Sequence, residues 1–188
     1  MTDSQKEALH QAGRKTWEQR IADWSRCLDL AKIDLRSLQQ DPTTSDCVPG
    51  PSSLRAAVAA ADVVVVATVA EVQPTAMNGT ESSFSISRTL KGPSRSTLDV
   101  KQSWGLYPPN PDYTGIVIAL GCDNMPLLPG DRAILFLEKL TDGTYSIEVS
   151  GAFPVSGGAV HAQGYPAWQR SADGETEAEF VQQVKSVI

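Results

Sequence analysis

The sequence predicts a mainly β domain, a small barrel or sandwich of short strands, with helices at both ends. Three observations carry this. Ala60 to Val72 contains four consecutive valines, Val63 to Val66, among small and β-branched residues, which suit a strand buried on both faces and disfavour helix. Downstream, about six or seven alternating apolar stretches are separated by turn residues, too closely for the helical crossovers of a parallel sheet. Upstream and at the far end, the apolar residues recur at helical spacing.

Taken in order, Ser4 to Glu7 has the spacing of a capping box and predicts a helix start. Trp17, Ile21, Trp24, Leu28, Ala31, Leu35 and Leu38 follow at alternating intervals of four and three. A helix running to Asp41-Pro42 would carry them on one stripe, with Glu18, Arg20, Asp29, Lys32, Asp34 and Arg36 mostly elsewhere. Such a stripe either packs on the domain that follows or serves as a coiled-coil surface for a partner or a second copy. Pro42 to Ser53, rich in turn residues, is a linker. The predicted organisation is a helical arm over 1–41, a barrel over 42–164, and a linker with a last helix over 165–188.

Ser52 or Ser53 can cap an alanine-rich helix, Leu54 to Ala61, that leads into the valine strand. Phe84, Ile86 and Arg88 alternate with Ser85, Ser87 and Thr89, and Leu98 and Val100 with Asp99 and Lys101, giving two strands joined at Lys91-Gly92-Pro93. Trp104 to Gly115, with Pro108, Pro109 and Pro111, is too proline-rich for an interior strand and is expected to be an exposed or draped loop. Ile116 to Leu120 and Ala133 to Leu137 are strands, with a turn at Pro129-Gly130-Asp131. Asp142-Gly143 and Gly157-Gly158 predict hairpins into Tyr145, Ile147 and Val149, and into Val160. Thr176 and Glu179 form a second capping box, and Phe180, Val181, Val184, Val187 and Ile188 line one side of the last helix.

The 188 residues carry a formal net charge of −6, which argues against nucleic acid or an anionic membrane as partner. No apolar run approaches the roughly 18 residues of a membrane span, and the N-terminus lacks the apolar core of a secretory signal. Cys27, Cys47 and Cys122 are too dispersed for a zinc site with paired cysteines. In an oxidising compartment they would give one disulfide and one free thiol, and in a reducing one three small buried residues.

No nucleophile motif lies near His10 or His161, and Gly157-Gly158 lacks the lysine and helix of a phosphate loop. Asp123, Asp131 and Glu138 fall at turns and strand ends, where solvated carboxylates are the rule, and Arg88, Lys91 and Arg95 fit a solvated face. No catalytic residue, metal or cofactor is predicted. Trp104, Tyr107 and Tyr113, stiffened by proline, are the partner-binding candidates, unless they fold back to plug a barrel end.

Cys47-Val48-Pro49-Gly50-Pro51-Ser52, the short helix, and Ala61-Asp62 leading into Val63 to Val69 resemble the opening of netrin-like domains. That family includes the tissue inhibitors of metalloproteinases and many small bacterial secreted proteins. Gly121-Cys122 ahead of Leu128-Pro129-Gly130-Asp131 and Ala133 to Phe136 is similar to the family's second cysteine, turn and strand, and Thr89-Leu90-Lys91-Gly92 to the end of its second strand. The resemblance spans Cys47 to Val160. It implies a small closed OB-like (netrin-type) barrel, a Cys47–Cys122 bridge worth about 4 kcal/mol, an extracytoplasmic location and an odd thiol at Cys27. Without the resemblance, a cytoplasmic location stands equally well.

The family's inhibitors chelate zinc through a Cys-x-Cys at a free N-terminus. Here a single cysteine follows 46 residues, so that route is not expected. The expected function is therefore a non-enzymatic module binding protein or peptide. The alternatives are an assembly subunit self-associating through Trp17, Ile21, Trp24, Leu28, Leu35 and Leu38, and, less favoured, a thiol-dependent or hydrolytic enzyme.

Overall fold

A computed structural model describes residues 2–26, 32–42, 50–74, 79–108, 115–120, 126–162 and 167–188. In chain order the elements are α1 (Asp3–Arg26), a 3-10 turn (Leu35–Ser37), β1 (Gln39–Pro42), α2 (Leu54–Ala60), β2 (Val63–Pro74), β3 (Thr80–Lys91), β4 (Thr97–Gln102), β5 (Trp104–Tyr107), β6 (Val117–Leu120), β7 (Arg132–Lys139), β8 (Tyr145–Ser156), β9 (Ala159–Val160), α3 (Ala167–Arg170) and α4 (Glu177–Val187).

The valine run becomes β2, hydrogen-bonded on both edges, to β3 and to β7, in antiparallel register. Strand alternation divides its residues between two cores. Val63, Val65, Ala67 and Val69 meet Phe84, Leu135 and Tyr145 inside the barrel. Val64 and Val66 point the other way and pack with Phe136 and Phe153 beneath α2 and α4, whose Val58, Phe180 and Val184 complete that layer. This two-sided burial is why one valine follows another. β4 and β8 then pair in parallel through Val100–Tyr145 and Lys101–Ser146, closing a five-stranded barrel in the order β2, β3, β4, β8, β7 and back to β2.

The helices form where local signals place them. Ser53 caps α2 by accepting from the Ala56 N–H, and Thr176 with Glu179 forms a reciprocal capping box at α4. Lys91 ends α2: its ammonium donates to the carbonyls of Val58 and Ala61, each at 2.6 Å, and so satisfies acceptors that the last helical turn leaves open.

Five expectations need correction. The first capping box uses Thr2 and Gln5, two residues before the predicted pair. The apolar stripe does not continue as helix to Leu38. Asp34 accepts from the Arg36 N–H and opens a 3-10 turn, after which Gln39–Pro42 is extended and pairs in parallel with β6. Trp104–Tyr107 is not a loop but a buried strand, antiparallel to β6, because the prolines begin only at Pro108 and leave those four residues free to pair. Ile188 does not join the buried side of α4, being 60% exposed beyond its last turn. β8 is also longer than its hairpin predicts, running to Ser156 past an irregularity opposite Leu135–Leu137.

Candidate functional site

Along β3 and β4 the inward positions are Ser82, Phe84, Leu98, Val100 and Gln102, so the alternate residues Glu81, Ser83, Asp99 and Lys101 face outward. They meet Glu71 and Gln73 from the end of β2, and Asp142 and Thr144 from the β7–β8 turn. Together these residues line a cleft of about 360 Å³. A second hollow, lined by Thr80, Glu81, Lys101, Gln102 and Ser146, continues it along the line where β4 and β8 meet.

Four carboxylates and one ammonium line the main cleft, so it is net negative. Lys101 Nζ lies 2.6 Å from Asp142 Oδ2. Asp142 Oδ1 accepts from the Thr144 N–H at 3.0 Å and from its hydroxyl at 2.5 Å. The Lys101 hydrogen bond, then those from Thr144, hold the Asp142 carboxyl well below the usual carboxylate range. Lys101 is raised in turn, first by its bond to Asp142, with the nearby Glu81 adding to the field. Gln73 Nε2 donates to Glu71 Oε1 at 3.2 Å.

The inward side of the same strands carries a saturated polar network. Gln102 Nε2 donates to Ser82 Oγ (2.7 Å) and to the Leu127 carbonyl (3.1 Å), while its Oε1 accepts from Trp104 Nε1 (2.9 Å) and the Leu127 N–H (3.0 Å). The Thr80 hydroxyl donates to the Trp104 carbonyl at 2.5 Å. All the hydrogen-bonding capacity of the buried amide is used, which fixes the strands that present the cleft.

Of the residues singled out from sequence, Cys27, Cys47, Cys122, Leu28, Ala31, Tyr113 and Asp123 lie outside the described residues, as do the side chains of His10, Trp17 and Ile21. Trp104 is fully buried and Tyr107 half-buried, so the tryptophan is not on the surface. Instead the structure brings Trp104 together with Trp24, Leu35 and Leu38, members of the other candidate set, in one apolar cluster with Leu106 and Leu128. Asp131 is tied to Arg36 at 2.8 Å and accepts from the Leu128 N–H, and His161 and Glu138 are exposed. Among the described residues, no group of three or more His, Cys, Asp or Glu side chains could hold a metal.

Sequence reasoning passed over the cleft residues Glu71, Glu81, Asp99, Lys101 and Asp142. The available signal was the polar half of the alternation in β3 and β4, which marks an outward, polar face of the barrel. No protein-family model matches this chain, and comparison with curated proteins finds no significant match.

Proposed function

We propose that this protein is a non-enzymatic binding module on a netrin-like, OB-type barrel, and that its acidic cleft receives a basic peptide or protein segment. The barrel reading is supported by the strand order, in which every neighbouring pair is antiparallel except β4–β8. In barrels of that type, ligands lie across the second and third strands, between the loop after the first strand and the loop before the last. The cleft occupies the corresponding place here. Its charge is the observation that supports a basic partner: four carboxylates against one lysine repel phosphates and attract cationic side chains.

On the same reading Cys47 and Cys122 are bridged and the protein works in an oxidising compartment. The last register pair of the small sheet, Pro42 with Leu120, supports this by bringing the chain together five residues before one cysteine and two before the other. Peptide-mapped mass under non-reducing conditions tests the bridge.

Titration of the full chain with an extended lysine-containing peptide, and with its glutamate counterpart, tests the cleft. The lysine peptide should bind and the glutamate peptide should not. Glu81→Lys with Asp99→Lys should weaken binding by about tenfold or more, since both are outward-facing and neither is part of the core. Equal binding of the two peptides, or no change in the variant, would sink the proposal.

A further inference from the structure

Residues 33–42 cross an apolar groove that other parts of the chain build. Ile33, Leu35 and Leu38 pack, half-buried, on the cluster of Trp104, Leu106, Ile118 and Leu128, and β1 adds a parallel strand at the edge of β6. A latch completes the cover: Arg36 donates to Asp131 Oδ1 at 2.8 Å and to the Pro129 carbonyl at 2.7 Å. The turn under that latch is anchored independently, because Gly130 N–H donates to the Val69 carbonyl and Val69 N–H to the Asp131 carbonyl. The Pro129–Asp131 side of the groove is thus held by the barrel, and its other side is the antiparallel β5–β6 pair, whose Trp104 is tied to barrel strands through the Thr80 hydroxyl and Gln102.

What holds the cover is weak by comparison. Its strand has four residues, pairs in parallel, and lies at the edge of its sheet, and parallel pairing is the less stable kind per residue. The Arg36 side chain is 56% exposed, so the latch is screened by water and salt. The bend of the cover is made locally, by Asp34 accepting from the Arg36 N–H and by the Ser37 hydroxyl donating to the Asp34 carbonyl. A segment that keeps its own shape can leave and return as a unit.

We propose that residues 33–42 are a displaceable lid over a strand-accepting groove, whose partner is an extended peptide that reproduces the lid's pattern. That pattern is three aliphatic side chains spaced as Ile33, Leu35 and Leu38, with a cation at the place of Arg36, followed by a short strand. The occupant is argued from the segment already seated there: aliphatic faces meet the Trp104 cluster, the cation meets Asp131, and backbone pairing to β6 tolerates many sequences. This surface is distinct from the acidic cleft, so failure of one reading leaves the other standing.

The experiment uses the full chain with Leu35→Asp and Leu38→Asp, which cripples the lid without touching the groove, and a labelled synthetic peptide of residues 32–42. The peptide should bind the variant at least tenfold more tightly than the wild-type chain, and a peptide carrying the same two aspartates should bind neither. Equal affinity for both chains, or no saturable binding, overturns the proposal. A variant that dimerises without peptide also overturns it, by assigning the groove to a second copy. Amide exchange on the wild-type chain provides a readout that needs no variant. The amides of β1 should exchange by local opening, much faster than those of β2 and β7, and exchange at the same rate as the barrel would rule out a lid.

Discussion

Gln102 shows how much a single side chain can fix. It makes four hydrogen bonds from a position 4% exposed, to groups that have no access to solvent once it is gone. Gln102→Leu keeps the volume and removes every partner, so it should destabilise the fold by about 3 kcal/mol in urea unfolding. A loss below about 1 kcal/mol would mean that water enters to replace the amide. Gly92 is the backbone counterpart. Its φ is +90°, and an added Cβ would lie 2.8 Å from the Asp62 carbonyl oxygen and 3.0 Å from Val63 Cγ2. Gly92→Ala should therefore cost about 2 kcal/mol, read as a lower melting temperature. The glycine is legible in Lys91-Gly92-Pro93, because turns announce themselves locally. The glutamine is not, since nothing near it in sequence says that Leu127 returns to face it.

Elements formed by local chemistry were legible, and elements formed by distant partners were not. β2, α2 and α4 follow from β-branching and caps a few residues long. β1 and β5 exist because each pairs with β6, far from β1 along the chain, and the heptad spacing that pointed to a continuous helix to Leu38 is already broken by the 3-10 turn that Asp34 opens ahead of that pairing. Docking of α4 depends on a similar distant contact. Arg132 on β7 donates from Nε and a terminal nitrogen to the two oxygens of Glu177, at 2.7 and 2.9 Å, and from the other nitrogen to Ser87. The Arg132 hydrogen bond lowers the Glu177 carboxyl below its ordinary 4.5. Because the folded-state value is depressed, the pair's contribution is fully present above the unfolded carboxylate value and is lost as pH falls through the folded one. Both groups are partly exposed, so the contribution is about 1 kcal/mol. Glu177→Gln should lower stability by that amount at pH 7, with the difference from wild type shrinking toward zero in strong acid. A constant difference across that range would show that packing, not charge, accounts for the loss.

At the scale of the molecule, the net charge of −6 and the acidic cleft on the barrel's outer face act together. Composition alone argued against phosphate-rich partners but could not say where the charge gathers, because Glu71, Glu81, Asp99 and Asp142 come from three strands and a turn. The cleft also contains its own counter-ion, which yields a prediction of unusual sign. Lys101→Gln removes the ammonium that now occupies Asp142 and leaves four carboxylates facing an incoming cation. Removing a polar contact usually weakens binding, yet on the proposed reading the lysine would compete with the ligand for the same carboxylate. Affinity for a lysine-containing peptide should rise by about three- to tenfold at low salt, the range of one partly solvated charge pair. The gain should fade as ionic strength rises and the Debye length shrinks below the width of the cleft. Without Lys101 the carboxyl of Asp142 should also move back up toward the ordinary range, a shift visible by NMR titration of its side chain. An affinity that falls on the same substitution would mean that Lys101 itself contacts the ligand, and would assign the cleft to a partner bearing a negative group.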